Sequence, residues 1–404
     1  MALTEAVLTC AAGGIPPRFA PWPHHDDDEI EAVVRVLRSG RTNYWTGEEC
    51  QAFEHEFASA CDCRYAVATA NGTLALELCL RSLGIGPGDD VIVTPRSFMA
   101  SVSTIVLCGA RPVFADVDLY SQNITADSIA AVITPQSRAI VAVHLAGWPC
   151  EMEPIRDVAR TYGLKIIEDC AQAHGATYNG RPAGSLGDIA AFSFCQDKII
   201  STGGEGGMIT TNDPDLWRRA WSYKDHGKNY ATSRPVTTAT GFRWLHDSFG
   251  SNFRLTEPQA ALGRLQLRKL PAWLQRRRDN AAKLSARLRH FEALQVPVPG
   301  EHIGHSFYKY YVILHQQKLR PDWNRGRILR CLAAAGIPSY FGSCPEIYRE
   351  RAFEGTNFAP IAALPVARRL GDASLLLLVH PNLSEAAIDY AGDMLAAIVT
   401  AASA

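Results

Sequence analysis

Lys198 stands five residues after Ser193, at the end of the apolar run Ile189-Ala-Ala-Phe-Ser-Phe194, and the glycine-dense stretch Ser201-Thr-Gly-Gly-Glu-Gly-Gly207 follows it. A strand that breaks before a lysine, with glycines that leave room where large side chains would block a close ligand, marks a candidate ligand site. No Lys-Ser or Lys-Thr follows the glycines, so this is not a P-loop. Without its surroundings the same lysine reads as a surface residue, the ordinary fate of lysine. A second apolar run, Ile166-Ile167, delivers Glu168 and Asp169, with Gln172 and His174 just beyond. An acid at the end of a buried strand needs a cation to offset its desolvation. A salt bridge or a helix cap would satisfy it too. Ala70-Asn-Gly-Thr-Leu74 closes a third strand and opens a helix. Free N–H groups at that helix start, with the Thr73 hydroxyl, make either an anion pocket or a plain N-cap. The fourth segment, Gly250 to Gln259 with Asn252 inside it, is a polar turn that opens a helix at Thr256 with Pro258 in its first turn. As pure structure it is a well-capped helix start.

All four segments fall at junctions in an alternation of short apolar runs and helical patterns, where open α/β sheets bind ligands. Tyr65–Thr69, Val91–Thr94, Pro112–Val117, Ala139–Val143, Lys165–Asp169 and Ile189–Phe194 read as strands. Leu74–Leu83, Phe98–Cys108 and Glu151–Tyr162 read as the helices between them. Apolar strands buried on both faces and alternating with helices predict an α/β fold with a mainly parallel sheet. The pattern changes near residue 256. A long helix reaches about His290, a strand returns at Lys309–Leu314, and a helix over Arg327–Ala335 ends at Gly336. The expectation is a large α/β domain over 1–275 and a smaller α+β domain over 276–404.

The composition excludes several classes of protein. Of the 404 residues 47% are hydrophobic and 20% charged, an ordinary globular balance. Forty basic against 41 acidic residues give a net charge of −1, which argues against nucleic acid or an anionic membrane as the main partner. The 11 cysteines form no Cys-x-x-Cys, so zinc has no ligand set and reduced, packed thiols are expected. The N-terminus lacks a basic start and carries Glu5, a poor match to a signal peptide. No apolar run approaches the ~18–20 residues of a membrane helix. A cytoplasmic protein is expected. Gly84-Ile-Gly-Pro-Gly88 imitates a dinucleotide fingerprint but follows a helix and precedes a strand, the reverse of the required order. His24-His-Asp-Asp-Asp28 offers metal ligands, yet it also reads as an acidic helix start placed at the positive dipole end.

Taken together, the stretches NGTLALEL, EDCAQAHGA, SFCQDKIISTGGEGGM, YKDHG and GSNFRLTEPQAALG resemble the fold-type I pyridoxal phosphate enzymes. More closely they resemble the DegT/StrS-type aminotransferases of nucleotide-linked keto sugars. The resemblance implies that Lys198 binds pyridoxal phosphate covalently and moves the substrate proton. Asp169 would pair with the pyridinium nitrogen, Gln172 would sit near the 3-hydroxyl and Phe98 would stack on the ring. Gly72, Thr73 and Leu74 would cradle the phosphate with Ser193. Asn252 would reach the phosphate of the neighbouring subunit's cofactor, which implies a homodimer with shared sites. Glutamate is the implied donor and a nucleotide-linked keto sugar, of the 4-keto-6-deoxyhexose kind, the acceptor. Tyr44 and Thr46, His226 with Lys228, and Tyr308 in the segment His305–Tyr310 are candidates for substrate recognition. Two departures from the family pattern bear on substrate class: one extra Gly after Lys198, and Cys195-Gln196 in place of a His-containing pair. An inward-pointing Asp197 would oppose a lowered lysine pKa. Two other readings keep the fold: a cyclitol-ketone aminotransferase, and a regulatory protein that binds without turnover.

Overall fold

The computed structural model describes residues 17–233 and 244–403. Cys10 and most of the segment read against a signal peptide lie outside these residues. The strands, in chain order, are β1 (Tyr65–Thr69), β2 (Asp90–Val93), β3 (Arg111–Phe114), β4 (Ser137–Val143), β5 (Lys165–Asp169), β6 (Thr177–Tyr178) and β7 (Arg181–Pro182). They continue as β8 (Ile189–Ser193), β9 (Gly207–Thr211), β10 (Leu294–Gln295), β11 (Ile303–Gly304), β12 (Tyr310–Leu314), β13 (Ser339–Tyr340) and β14 (Ser374–Leu377).

Seven strands form the main sheet in the order β1-β9-β8-β5-β4-β2-β3. All neighbours pair in parallel except at β9, which runs antiparallel to both β1 and β8. The expectation of an α/β fold with a mainly parallel sheet is met. Side chains alternate across the sheet with the period of two that a strand imposes. Val67, Val91, Val93, Val141, Ile167 and Ile209 pack on one face, while Ile92, Ile140 and Ile166 join a core on the other. The helix Gly72–Ser82 covers the first face through Ala75, Leu76, Leu78 and Cys79.

Register brings the strand ends together. Asp169 lies level with Val143 of β4 and Ala191 of β8. Gly207 pairs with both Ser193 and Thr69, so the C-terminal ends of β1 and β8 are separated by one strand. Crossovers in parallel sheets put the following loops at that edge, which makes it the natural binding edge.

The long helix runs Glu257–Leu288, straight through Pro271. Leu270 and Leu274 pack into the core beneath β8 and β9, whereas Ala281, Leu284 and Leu288 pack with the second sheet, β10-β12-β14-β13. The chain after this helix returns to the first body: Ile347, Tyr348 and Phe353 fill the core beside β3, and Ala367 and Leu370 the opposite one. Gly336 takes φ +73 after the helix Arg325–Ala334, the left-handed turn expected of it. The ten described cysteines are free thiols. The acidic start of the helix Asp27–Ser39 is met by Lys269, whose ammonium lies 2.8 Å from Asp26, 2.8 Å from Asp28 and 3.0 Å from Glu29. No helix among the described residues is long and apolar enough to cross a membrane.

Candidate active site

A cavity of about 1170 Å³ opens at the C-terminal edge of the main sheet, and Lys198, Asp169, Gln172, Ser193, Gly72, Thr73, Leu74, Phe98 and Tyr308 all line it. Asp169 is buried at the end of β5, and the Ser101 hydroxyl donates to its Oδ2 at 2.7 Å. The backbone N–H of Ala171 donates to its Oδ1 at 3.1 Å. Burial pushes this carboxyl up from the ordinary aspartate value, against those hydrogen bonds and the more distant charge of Lys198. Its neighbour Glu168 points to the other face of the strand and is consumed by structure. It accepts N–H groups from Gly184, Leu186 and Gly187 at 3.0, 2.7 and 2.7 Å, and His144 Nε2 lies 2.9 Å away. His144 Nδ1 accepts the Cys150 N–H, so the ring proton sits on Nε2 and is donated to Glu168.

The helix Gly72–Ser82 begins at the rim of the cavity. Asn71 caps it by accepting the Leu74 N–H at 2.9 Å. That bond removes the Leu74 N–H from the expected anion cradle and leaves the N–H groups of Gly72 and Thr73 for it. The Ser193 hydroxyl oxygen accepts the Cys195 N–H at 3.3 Å, which leaves its proton to give. Gln172 uses Oε1 on the Ala146 N–H at 2.7 Å, which leaves its amide N–H₂ as the donor. Phe98 is 70% exposed on the cavity wall, as a ring awaiting a flat partner would be.

Lys198 Nζ lies 3.9 Å from Asp197 Oδ1 and 5.0 Å from the centroid of the Tyr308 ring. Asp197 therefore does face its neighbour. Burial alone would raise its carboxyl, but Lys198, the Tyr308 hydroxyl and Lys309 hold it below the usual aspartate value. Tyr308 donates its hydroxyl proton to Asp197 Oδ2. His174 is buried between Phe192 and Phe194, its ring centroid 5.5 and 5.7 Å from theirs, and burial lowers it to about 3.

Other expected residues lie elsewhere. Tyr44 is buried away from the cavity, donating to Glu54 at 3.1 Å and accepting from the Trp221 indole at 3.1 Å, with Lys224 Nζ 3.8 Å from its ring centroid. Its hydroxyl is spent on Glu54 and Trp221, and Tyr44, expected to meet substrate, does not line this cavity. Thr46, His226, Lys228 and Asn252 also stand outside the cavity. His226, Lys228 and Asn252 gather near Asp225, which pairs with Lys228 and Arg254 at 3.0 and 2.8 Å and bridges to Asn252, while Lys228 Nζ sits 4.1 Å from the ring centroid of Trp45, the neighbour of Thr46. Conversely, Trp22, Ser101, Lys309, Phe341 and His380 line the cavity without a local sequence signal of that role. Only the segment His305–Tyr310 had brought Lys309 into view.

A buried carboxylate, an amine and an open helix start share one cavity on this sheet order, a donor set for a ligand that carries both a cation and an anion. The model of the DegT/DnrJ/EryC1/StrS aminotransferase family matches residues 23–396, and the chain belongs to that family. It is 38% identical over 374 residues to the GDP-perosamine synthase of Caulobacter vibrioides, spanning 91% of this chain and 94% of that one. It is 35% identical over 354 residues to the dTDP-3-amino-3,4,6-trideoxy-alpha-D-glucose transaminase of Streptomyces venezuelae, spanning 87% of each. A solved aminotransferase from Psychrobacter cryohalolentis is 51% identical, with a TM-score of 0.91 over 93% of this chain and 98% of that one.

Proposed function

We propose that this aminotransferase uses pyridoxal 5′-phosphate to carry an amino group from glutamate to a nucleotide-linked keto sugar. One observation carries the cofactor: Asp169 is a desolvated carboxylate with hydrogen bonds but no ion-pair partner among the described residues, in the same cavity as Lys198 and an open helix start. A protonated ring nitrogen would supply the missing cation, and a phosphate would take the free N–H groups. The donor set therefore fits this cofactor.

When bound, the cofactor supplies the electron sink for loss of the proton next to the amino nitrogen. Asp169 would keep the ring nitrogen protonated, with Ser101 and the Ala171 N–H fixing the carboxylate's orientation. Gly72, Thr73 and Ser193 would hold the phosphate, the Gln172 amide would donate to the ring hydroxyl, and Phe98 would cover a ring face. The Lys198 amine would take the proton from the donor carbon and carry it.

The substrate reading is supported by the relatives named GDP-perosamine synthase and dTDP-amino-sugar transaminase. The exposed Asn252, His226 and Thr46, with the half-buried Lys228 beside them, lie away from their own cavity and support a homodimer in which each subunit completes the other's site. A cytoplasmic location follows from the substrates proposed. The test uses ¹⁵N-glutamate and a set of nucleotide-linked keto sugars with the cofactor-loaded protein. Label in an amino sugar is expected. Label only in a cyclitol, or in no product, contradicts the reading.

A further inference from the structure

The charges around Tyr308 do not balance. Lys198 and Lys309 share its ring, at 5.0 and 4.6 Å from the centroid, and share one carboxylate, Asp197, each at 3.9 Å. Behind them Arg277 is 1% exposed. It spends one nitrogen on the carbonyls of Phe307 and Tyr308, both at 3.3 Å, and leaves Nε and Nη2 without hydrogen-bond partners. Three cations thus face one acid. Glu205 and Asp169 also line the cavity, but neither forms an ion pair with any of these cations among the described residues, and Asp169 is reserved for the cofactor ring.

Once Lys198 is joined to the cofactor, Lys309 is the one remaining lysine or arginine side chain among the described residues that line the cavity. Asp197 lies beyond hydrogen-bond distance of its ammonium, which donates to no described residue. An ammonium with three unspent donors in a partly dry cavity is a receptor for an anion.

We infer that Lys309 binds a carboxylate of the amino donor. This rests on the proposed function and adds a residue to it. The donor differs from the keto sugar in carrying a carboxylate on the carbon whose proton Lys198 moves. The sugar's phosphates are held across a pyranose ring from its carbonyl. An ammonium that shares ring and carboxylate with Lys198 is placed for the nearer group. Burial, with Arg277 and Lys198, lowers the Lys309 ammonium to about 8 against the opposing pull of Asp197. The His380 ring, which feels both Arg277 and Lys309, is itself lowered to about 3 and stays neutral. Donor binding should therefore weaken as pH rises through about 8.

The test compares wild type, Lys309→Met and Lys309→Arg as cofactor-loaded enzymes of matched thermal stability. Glutamate is titrated by the cofactor absorbance, and glutarate, which cannot react, by calorimetry. A nucleoside diphosphate is titrated alongside. Lys309→Met is expected to weaken glutamate and glutarate about tenfold or more, with nucleotide binding within about twofold and partial recovery in Lys309→Arg. Loss of nucleotide binding with glutarate unchanged, or equal loss of all three, overturns the inference. Were wild type to take no amino group from glutamate, the proposed function would fall, and the glutarate titration would still decide the role of Lys309.

Discussion

Trp22 donates its indole N–H to the main-chain carbonyl of Lys198 at 2.7 Å, across 176 positions of sequence. The same indole packs edge-on against Trp273 at 5.1 Å, and Arg277 lies 5.1 Å from its centroid. The segment before the first helix is therefore a wall of the cavity that grips the backbone of Lys198.

Trp22→Phe keeps a ring against Trp273 and removes the donor. One net hydrogen bond is worth about 0.5–1.5 kcal/mol. We expect kcat to fall several-fold with KM nearly unchanged and the melting temperature little altered. Steady-state kinetics indistinguishable from wild type would show that Trp22 does not position Lys198.

Asp169→Asn separates catalysis from stability. The carboxyl is desolvated without a countercharge until the cofactor arrives, so the apo protein should lose no stability and can gain some. Cofactor affinity should drop, and turnover by on the order of 10²–10³. Thermal melts of apo and loaded forms, with kinetics, measure both. A large loss of apo stability would mean that the Asp169–Ser101 pair is structural.

Asp169, Ser193, Lys198 and Gly72 were legible because each ends or follows a buried strand, and that position alone brings them to one edge of a parallel sheet. Trp22, Ser101 and Lys309 reach the cavity through packing between distant segments, which no local spacing encodes. An aromatic hydroxyl in a polar loop looks like a recognition group, and no local spacing showed that Glu54, Trp221 and Lys224 hold Tyr44 in the core. The antiparallel β9 was hidden by the glycines that precede it, and Leu74 lost its N–H to the cap of its own helix.

Gly72→Ala tests the junction of β1 with β8. A Cβ there would stand 2.5 Å from Ser193 Cβ and 3.0 Å from its Cα, closer than atoms pack. Backbone must shift, at a cost of about 1–3 kcal/mol. Denaturant unfolding should report that loss together with weaker phosphate binding. A neutral effect on both would contradict the close approach.

Acid should destabilise the fold through three buried histidines. His174, His305 and His380 are each lowered to about 3, first by burial and then by Lys198, by Arg278, and by Arg277 with Lys309 respectively. The unfolded chain takes up these protons near pH 6.5 and the folded one does not, so stability is full above about 6.5 and falls as pH drops toward 3. Each contributes a slope of up to about 1.4 kcal/mol per pH unit within that window. Urea unfolding at pH 7.5 and 5.0 measures it. Equal stability at the two values would contradict neutral burial.

The most direct measurement is reduction of the cofactor-loaded protein with borohydride, followed by proteolysis and mass mapping of the fixed pyridoxyl phosphate. Two lysines among the described residues line the cavity, and the label is expected on Lys198, with its loss in Lys198→Ala. Label on Lys309, or no labelled peptide at all, would contradict it.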